Sequence, residues 1–324
     1  MTVAAPGRIV FVAANPSIDR LYEVDRLTVG AIHRPVELIA VPGGKGLNAA
    51  RAAARLGGRV SAVGILAGRS GDWVEQALAE SAIDARWVRS GGETRTCVSI
   101  LDRATGVLTE IYERGEPIEA ATWEALEQLV ADELSRGTVA ALALSGSLPP
   151  GAPPDGFGRM ARLARTAAAA AGVRPVAVLA DTYGSALAAV LAERPAVVKI
   201  NAAEATEATG VAVADASSAE TAAVVLLDRG ARSVVLTLGP GGAVVVAAGG
   251  SSRLAPSGVR GVYPVGSGDA FLGGLAVAIA RGDDIPEAAR MGLAAGTANA
   301  LIPGAGELDP LDVERILREE RLQY

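Results

Sequence analysis

The sequence predicts an α/β fold: a doubly wound, mostly parallel sheet with helices on both faces, accompanied by a small β-sheet lid. Two observations lead to this prediction. Short, continuous apolar runs alternate with helical segments almost throughout the chain, which is typical of parallel strands buried between two layers of helices. Two other regions have short, partly alternating patterns that do not suit a buried sheet.

The length and composition favour a single domain. The chain has 324 residues, of which 50% are hydrophobic, enough for one large core. No long linker, charge run or internal repeat divides it. We therefore predict one α/β domain over residues 1–324, with the lid inserted from roughly 16–42 and 92–116.

The charge balance and the cysteine content disfavour several classes of function. With 30 basic and 36 acidic residues, the net charge of −6 argues against a nucleic-acid or membrane surface. Cys97 is the only cysteine, which rules out an internal disulfide and a cysteine-rich zinc site. Neither a signal peptide nor a membrane span is visible. The expected partner is a small molecule, and the expected location is the cytoplasm.

The first apolar run, residues 8–14, is interpreted as a buried parallel strand that ends in the polar loop 15–19. Open α/β sheets bind ligands at the carboxyl ends of their strands. Asp19 is therefore either a plain turn residue or a group that binds sugar hydroxyls.

Two pairs of strands are predicted outside the main sheet. Residues 21–41, broken at Gly30, form the first pair, and the segments 94–100 and 107–112 form the second. We expect the two pairs to associate as the lid.

A glycine-rich turn at residues 42–46 leads into an alanine-rich helix that ends near Gly57. It is not a P-loop, because Lys45 is followed by glycine. Its glycines allow a ligand to approach the backbone, Lys45 supplies a charge for an anion, and Asn48 offers a donor and an acceptor to a polyol. An ordinary turn before a helix is the alternative.

Further apolar runs predict the rest of the sheet. They lie at 60–66, 139–144, 176–180, 196–200, 233–238 and 243–247, with helices predicted at 72–80 and 155–171. Several of these strands deliver polar or glycine-rich loops, as the first one does.

The stretch 266–269, Gly-Ser-Gly-Asp, is predicted to follow a strand end at 263–265 and to open a helix over 270–281. Glycines without Cβ atoms and the positive end of a helix dipole suit a phosphate in transfer. Asp269 is placed to accept a proton from a hydroxyl that attacks this phosphate. The alternative is a glycine turn with an acidic first-turn residue.

Three of these loops occur together and in order: Gly-Gly-Lys-Gly-Leu-Asn at 43–48, Ser-Gly-Ser-Leu-Pro at 145–149, and Gly-Ser-Gly-Asp at 266–269. With this set, the sequence resembles the ribokinase-type (PfkB family) carbohydrate kinases over about residues 8–305. Residues 15–19, Lys45 and 94–96 resemble the branch that phosphorylates sugar phosphates, namely the 1-phosphofructokinases and tagatose-6-phosphate kinases.

The resemblance implies a ribokinase-like core with a β-lid, ATP as the phosphoryl donor, Mg²⁺, and a homodimer formed through the lids. It also implies roles for particular residues. Asp269 is the catalytic base in an anion hole of Gly266, Ser267 and Gly268; Asp19, Gly44, Lys45, Asn48, Arg95, Arg34 and Ser147 bind the acceptor; Lys199, Asn201, Thr237, Gly239, Gly242 and Asn299 bind the nucleotide; and Asn201 and Glu204 act on the metal.

The sequence departs from the family pattern in three places. Ile200 replaces the usual proline after Lys199, Tyr263-Pro264 replaces a Ser/Asp-Thr pair, and Ser267 replaces alanine. The first two bear on local backbone and metal geometry and not on the base.

Other functions fit the sequence less well. A Rossmann dehydrogenase needs a G-x-G-x-x-G turn after the first strand, which is missing. A hydrolase triad needs a histidine, and the only one, His33, falls in the predicted lid. A non-catalytic sugar-phosphate sensor on a kinase scaffold stays open. The expected reaction converts fructose 1-phosphate to fructose 1,6-bisphosphate; tagatose 6-phosphate, fructose 6-phosphate, and a sugar or nucleoside are the alternative acceptors.

Overall fold

The structure is a computed structural model that describes residues 7–171 and 175–321. Strands and helices alternate along this part of the chain. The strands are β1 (Arg8–Ala13), β2 (Ser17–Val24), β3 (Glu37–Gly43), β4 (Val60–Ala67), β5 (Ile83–Ser90), β6 (Arg95–Asp102), β7 (Val107–Tyr112), β8 (Val139–Ser145), β9 (Ala177–Asp181), β10 (Val197–Asn201), β11 (Ser233–Thr237), β12 (Ala243–Ala247) and β13 (Gly250–Leu254). The helices are α1 (Lys45–Arg55), α2 (Gly68–Leu78), α3 (Ala120–Ser135), α4 (Gly156–Ala171), α5 (Gly184–Ala192), α6 (Ala202–Thr209), α7 (Ala216–Asp228), α8 (Ser267–Arg281), α9 (Ile285–Asn299) and α10 (Pro310–Arg321).

One large sheet has the strand order β13-β12-β11-β10-β9-β8-β1-β4-β5. The strands from β11 to β5 pair in parallel, and β12 and β13 are added antiparallel at one edge. The chain winds outward from β1 in both directions, so a topological switch point lies between β1 and β8, where open α/β sheets bind ligands. The predicted doubly wound α/β fold is confirmed.

The side chains of β1 show why the central strands are continuous apolar runs. Val10 and Val12 belong to the core layer that also contains residues of α3 to α7, and Ile9 and Phe11 belong to the layer on the other face, with residues of α1, α2, α8 and α9. All four side chains are fully buried. Because neighbouring strand residues point to opposite faces, a strand between two helical layers must be apolar at every position.

The second sheet has the order β3-β2-β6-β7. Strand β2 pairs antiparallel with β3 and parallel with β6, and β6 pairs antiparallel with β7. We call this four-stranded sheet the lid. Both predicted strand pairs and their association are confirmed.

Three details of the main fold differ from the sequence-based prediction. The strand predicted at 263–265 is wrong: Pro264 has no N–H to donate, and the Tyr263 N–H donates to Ala300 O at the end of α9 (3.0 Å). Helix α8 accordingly begins at Ser267. Strands β5 and β13 were not predicted.

Within residues 7–171 and 175–321, none of the helices is both long and apolar enough to cross a membrane.

Candidate active site

A large cavity of about 1150 Å³ lies between the carboxyl edge of the main sheet and the lid. It is lined by the residues that follow β1, β8, β10 and β11, by the glycine turn before α1, and by the start of α8. The loops that carry the sequence motifs therefore converge on one cavity, although 250 positions separate some of them in the chain.

The start of helix α8 has the shape and polarity that a phosphate requires. Gly266 has a φ of 80°, and a Cβ at this position would lie 2.6 Å from Ala305 Cα. The helix has no side-chain cap, and no described residue accepts a hydrogen bond from the backbone N–H of Gly268 or Asp269. A Cβ on Gly268 would lie 2.9 Å from Lys199 Nζ, so the free N–H groups and an ammonium face the same space.

Asp269 is the buried carboxylate of this helix start, with 8% of its surface exposed. Its Oδ2 accepts a hydrogen bond from Asn48 Nδ2 (3.0 Å). Burial raises the pKa of Asp269 to about 7; the nearby Lys45 ammonium opposes this rise, and the Asp181 carboxylate adds to it. A carboxyl with a pKa near neutrality is well matched to taking up a proton at physiological pH.

Asp19 lies beside this group and is held by three donors. Its carboxylate accepts hydrogen bonds from Ser17 Oγ (2.6 Å), the Gly44 N–H (3.3 Å) and Asn48 Nδ2 (3.1 Å). The amide of Asn48 thus bridges Asp19 and Asp269, while its buried Oδ1 has no partner among the described residues. Gly43 is required next to this arrangement, because a Cβ there would lie 2.0 Å from Asp19 Cγ.

Asp181 joins two lysines below the cavity. This carboxylate is fully buried and accepts from Lys45 Nζ (3.0 Å) and Lys199 Nζ (2.7 Å). Lys45 Nζ also contacts Glu204 Oε1 (2.9 Å). Burial alone would raise the pKa of Asp181 and lower that of Lys45. The opposite charges outweigh burial, so the pKa of Asp181 lies below and that of Lys45 above its ordinary value.

The residues predicted to bind the nucleotide and metal lie at the ends of β10 and β11. Asn201 is the N-cap of α6: its Oδ1 accepts from the Glu204 N–H (2.9 Å), and Glu204 Oε2 accepts from the Asn201 N–H (3.1 Å). Thr237, Gly239 and Gly242 line the adjoining part of the cavity. Both glycines have positive φ, and at Gly242 a Cβ would also lie 2.1 Å from Leu254 O.

Arg95, the first residue of β6, is a cation of the cavity wall without a carboxylate partner among the described residues. Its guanidinium donates to Asn15 O (3.0 Å from Nη2) and to Glu113 O (2.8 Å from Nη1). Ser147, on the opposite wall, accepts through Oγ from Asn15 Nδ2 (3.1 Å). Asn15 therefore joins the two walls that hold Arg95 and Ser147.

The structure does not bring two of the predicted residues to the cavity wall. Arg34 is exposed in the connection between β2 and β3. The pairing runs from Ser17↔Gly43 at the cavity to Glu23↔Glu37 at the far end, so this connection begins about 20 Å away.

Asn299 is fully buried and has no free polar atom for a nucleotide. Its Nδ2 donates to Val265 O (2.9 Å), and its Oδ1 accepts from the Gly306 N–H (2.8 Å). It supports the loop before α8 from behind and does not border the cavity.

Asp181 and several cavity-lining residues were missed at the level of sequence. Asp181 is the last residue of the buried parallel strand β9, and the position at the carboxyl end of a strand had identified Asp19, so a usable signal was present. The inner face of β7 and the loop after β13 gave no such signal. Their cavity residues are Leu108, Glu110, Tyr112 and residues 256–261.

Comparisons with known proteins agree with this geometry. The family model for pfkB family carbohydrate kinases matches residues 12–311. The chain is 33% identical over 274 residues to a protein named 1-phosphofructokinase from Xanthomonas campestris pv. campestris, which is 83% of each chain. It is 32% identical over 304 residues to a 1-phosphofructokinase from Rhodobacter capsulatus, which is 94% of this chain and 92% of the relative.

Solved structures show the same fold. Phosphofructokinase-2 from Escherichia coli has a TM-score of 0.87 and 26% identity, with 98% of this chain and 100% of that chain covered. A possible 1-phosphofructokinase from Thermotoga maritima has a TM-score of 0.84 at 23% identity, covering 96% of this chain and 98% of that one, which supports the fold alone. Together with the converging loops, these matches show that the chain belongs to the pfkB family of carbohydrate kinases and is a sugar kinase, and membership of this family implies ATP as the phosphoryl donor.

Proposed function

We propose that this kinase phosphorylates a phosphorylated ketohexose, and specifically that it converts fructose 1-phosphate and ATP to fructose 1,6-bisphosphate and ADP. The observation that carries this proposal is Arg95, a cation in the cavity wall that no described carboxylate neutralises. A neutral sugar offers such a group no partner, whereas an acceptor that already bears a phosphate does. The two relatives named 1-phosphofructokinase support the same acceptor.

The acceptor is proposed to lie between Asp19 and Arg95. Asp19, Gly44 and Asn48 form a polar group for the sugar hydroxyls, and Arg95 with Ser147 faces the existing phosphate. Lys45 is shared: its ammonium contacts Asp181 and Glu204, which leaves one of its three N–H donors for a substrate oxygen.

In the proposed step, the free primary hydroxyl of the sugar attacks the γ-phosphorus of ATP in line with the leaving group. A new O–P bond forms, the bond from the γ-phosphorus to the bridging oxygen breaks, and the hydroxyl proton passes to Asp269. The N–H groups of Gly268 and Asp269 and the Lys199 ammonium stabilise the charge on the transferred group. Thr237, Gly239 and Gly242 would hold the nucleotide.

The residues present fit a magnesium ion held through water. No cluster of three metal-ligating side chains occurs among the described residues, but magnesium at a nucleotide needs only one or two protein oxygens and keeps several waters. Glu204 and Asn201 would orient those waters with the lone pairs that their mutual hydrogen bonds leave free. When bound, Mg²⁺ would neutralise charge on the nucleotide phosphates.

Fructose 6-phosphate is the second candidate acceptor. It is favoured by the similarity to a solved structure of phosphofructokinase-2 from Escherichia coli in complex with fructose 6-phosphate, at 25% identity. The two sugars differ in which end carries the phosphate. A panel of fructose 1-phosphate, fructose 6-phosphate, tagatose 6-phosphate and free fructose, each with ATP and with or without Mg²⁺, separates these candidates and tests the metal.

Arg95→Ala should lower kcat/KM for the preferred sugar phosphate by about ten- to a hundredfold, because a charge-assisted contact contributes roughly 1.5–3 kcal/mol. Any residual rate with free fructose should stay almost unchanged. Arg114→Ala is the matched control, since its exposed side chain does not line the cavity. A wild-type preference for free fructose, or an equal loss with both substrates, would contradict the phosphosugar assignment.

We also propose that the protein is a homodimer formed through the lids. The support is an apolar outer lid face, on which Leu38, Val107 and Ile111 are between 48% and 60% exposed. Ile111→Glu should then convert a dimer to a monomer in light scattering. A wild-type protein that is monomeric at micromolar concentration would overturn this assignment.

A further inference from the structure

Arg51 is a buried charged residue for which the proposed chemistry has no role. It lies on α1, one turn after Asn48, and only 7% of its surface is exposed. Its Nη1 donates to Pro42 O (2.8 Å) and to Ala305 O (2.9 Å), and its Nη2 forms an ion pair with Glu307. One guanidinium thus ties together the end of lid strand β3, helix α1 and the loop 304–307.

The loop 304–307 forms the back of the anion hole. Gly266 approaches it so closely that a Cβ on this glycine would lie 2.6 Å from Ala305 Cα and 2.7 Å from the Gly306 nitrogen. No side chain fits between the two segments, so their backbones pack directly and a displacement of Ala305 is passed to the first turn of α8.

The same loop also supports the residue that bridges the two carboxylates. A Cβ on Gly306 would lie 2.5 Å from Asn48 O, and the Gly306 N–H donates to Asn299, which in turn donates to Val265 O. Asn48 and the anion hole therefore rest on one wall, and Arg51 fixes that wall to the lid strand that ends at Gly43.

We propose that Arg51 is a positioning residue for phosphoryl transfer. By holding Pro42 and Ala305 to one guanidinium, it sets the distance between the acceptor site under the lid and the donors at the start of α8. This inference rests on the proposed roles of Asp19, Asp269 and the anion hole. Loss of the Arg51 side chain is expected to lower kcat, because misplacement of reacting groups by a fraction of an ångström slows the chemical step more than it weakens substrate binding.

Arg51→Gln is expected to lower kcat by about ten- to a hundredfold, with the KM for ATP and for the sugar phosphate changed by less than about threefold. Arg55→Gln is the matched control: Arg55 also forms an ion pair with Glu307 but contacts neither carbonyl, so its kcat should stay near wild type. Both proteins are assayed well below their thermal midpoints, and those midpoints are measured separately. Arg51→Lys keeps the charge but lacks the planar fork that reaches all three partners, so it should restore only part of the rate.

Two outcomes would overturn the role of Arg51: a folded Arg51→Gln protein with wild-type kcat, or equal losses in the Arg51 and Arg55 variants. If Arg51→Gln does not fold, Arg51→Lys decides, since a kcat equal to wild type contradicts the proposal. Asp269→Asn, assayed in parallel, separates the two levels of the argument. If Asp269→Asn has the wild-type rate, Asp269 is not the general base. If Asp269→Asn is inactive and Arg51→Gln is active, only the positioning role of Arg51 is contradicted.

Discussion

Replacing Asp269 by asparagine is expected to lower kcat by about 10²- to 10⁴-fold, the usual span for a positioned general base. The substitution is nearly isosteric, and the contact with Asn48 needs only an acceptor oxygen, which the new amide retains. What it removes is the ability to take the proton of the attacking hydroxyl. The fold and ATP binding should persist.

Single-turnover measurements with saturating ATP and sugar phosphate check this prediction, because they isolate the chemical step from product release. Equilibrium binding of ATP to the variant is the control for an intact nucleotide site. A chemical rate within a few-fold of wild type would mean that Asp269 is only an acidic first-turn residue of α8, the alternative that the sequence alone left open.

The assignment of Asp269 as the general base also predicts the direction in which kcat/KM changes with pH. Burial raises the pKa of Asp269 to about 7, and only the ionised carboxylate accepts a proton. The kcat/KM of the wild type should therefore be low well below pH 7, rise through about pH 7 and level off above it, since this parameter reports groups of the free enzyme. The residual kcat/KM of Asp269→Asn should not show this rise near pH 7.

The central strands of the main sheet were predictable because they are buried on both faces. An apolar run such as 8–14 admits few other interpretations, and the lid strands were recognisable from their alternation. The edge strands were not recognised. β5 contains Asp84, Arg86 and Arg89, and β13 is exposed at all positions except Leu254. Such half-solvated strands lack the pattern that marks a buried strand.

The candidate site was predictable where the chemistry depends on residues adjacent in the chain. The glycines before Asp269 and the turn before α1 are of this kind. Asp181 was missed because its importance comes from two lysines that lie 136 and 18 positions away. Arg34 and Asn299 were expected at the site because of their position in the sequence, but tertiary structure places them elsewhere. The register of the β2–β3 hairpin places Arg34 far from the cavity, and the packing behind α8 buries Asn299.

Lys199→Met is expected to lower kcat by about 10²- to 10³-fold, which is the cost of removing one preorganised donor from a developing negative charge. Lys199 is 3% exposed and ends 2.9 Å from the position that a Cβ on Gly268 would occupy. Methionine keeps most of the length and the apolar stem but carries no charge. Asp181 retains one ion pair, with Lys45, so its buried carboxylate is not left without a partner.

A second variant, Lys199→Arg, tests whether a positive charge at position 199 is enough for activity. Only Lys45 and Lys199 are lysines among the 30 basic residues, and both contact Asp181, while every other basic residue is arginine. A compact ammonium lies beside Gly268, whereas a planar guanidinium is larger and presents its charge with a different geometry. Lys199→Arg should therefore fail to restore kcat although it restores the charge. The KM for the sugar phosphate should change little in both variants, because Asp19 and Arg95 hold that substrate in the proposed complex. Full activity of Lys199→Met would show that Lys199 is only the counter-ion of Asp181, and the donors to the transferred phosphoryl group would then be the backbone N–H groups alone.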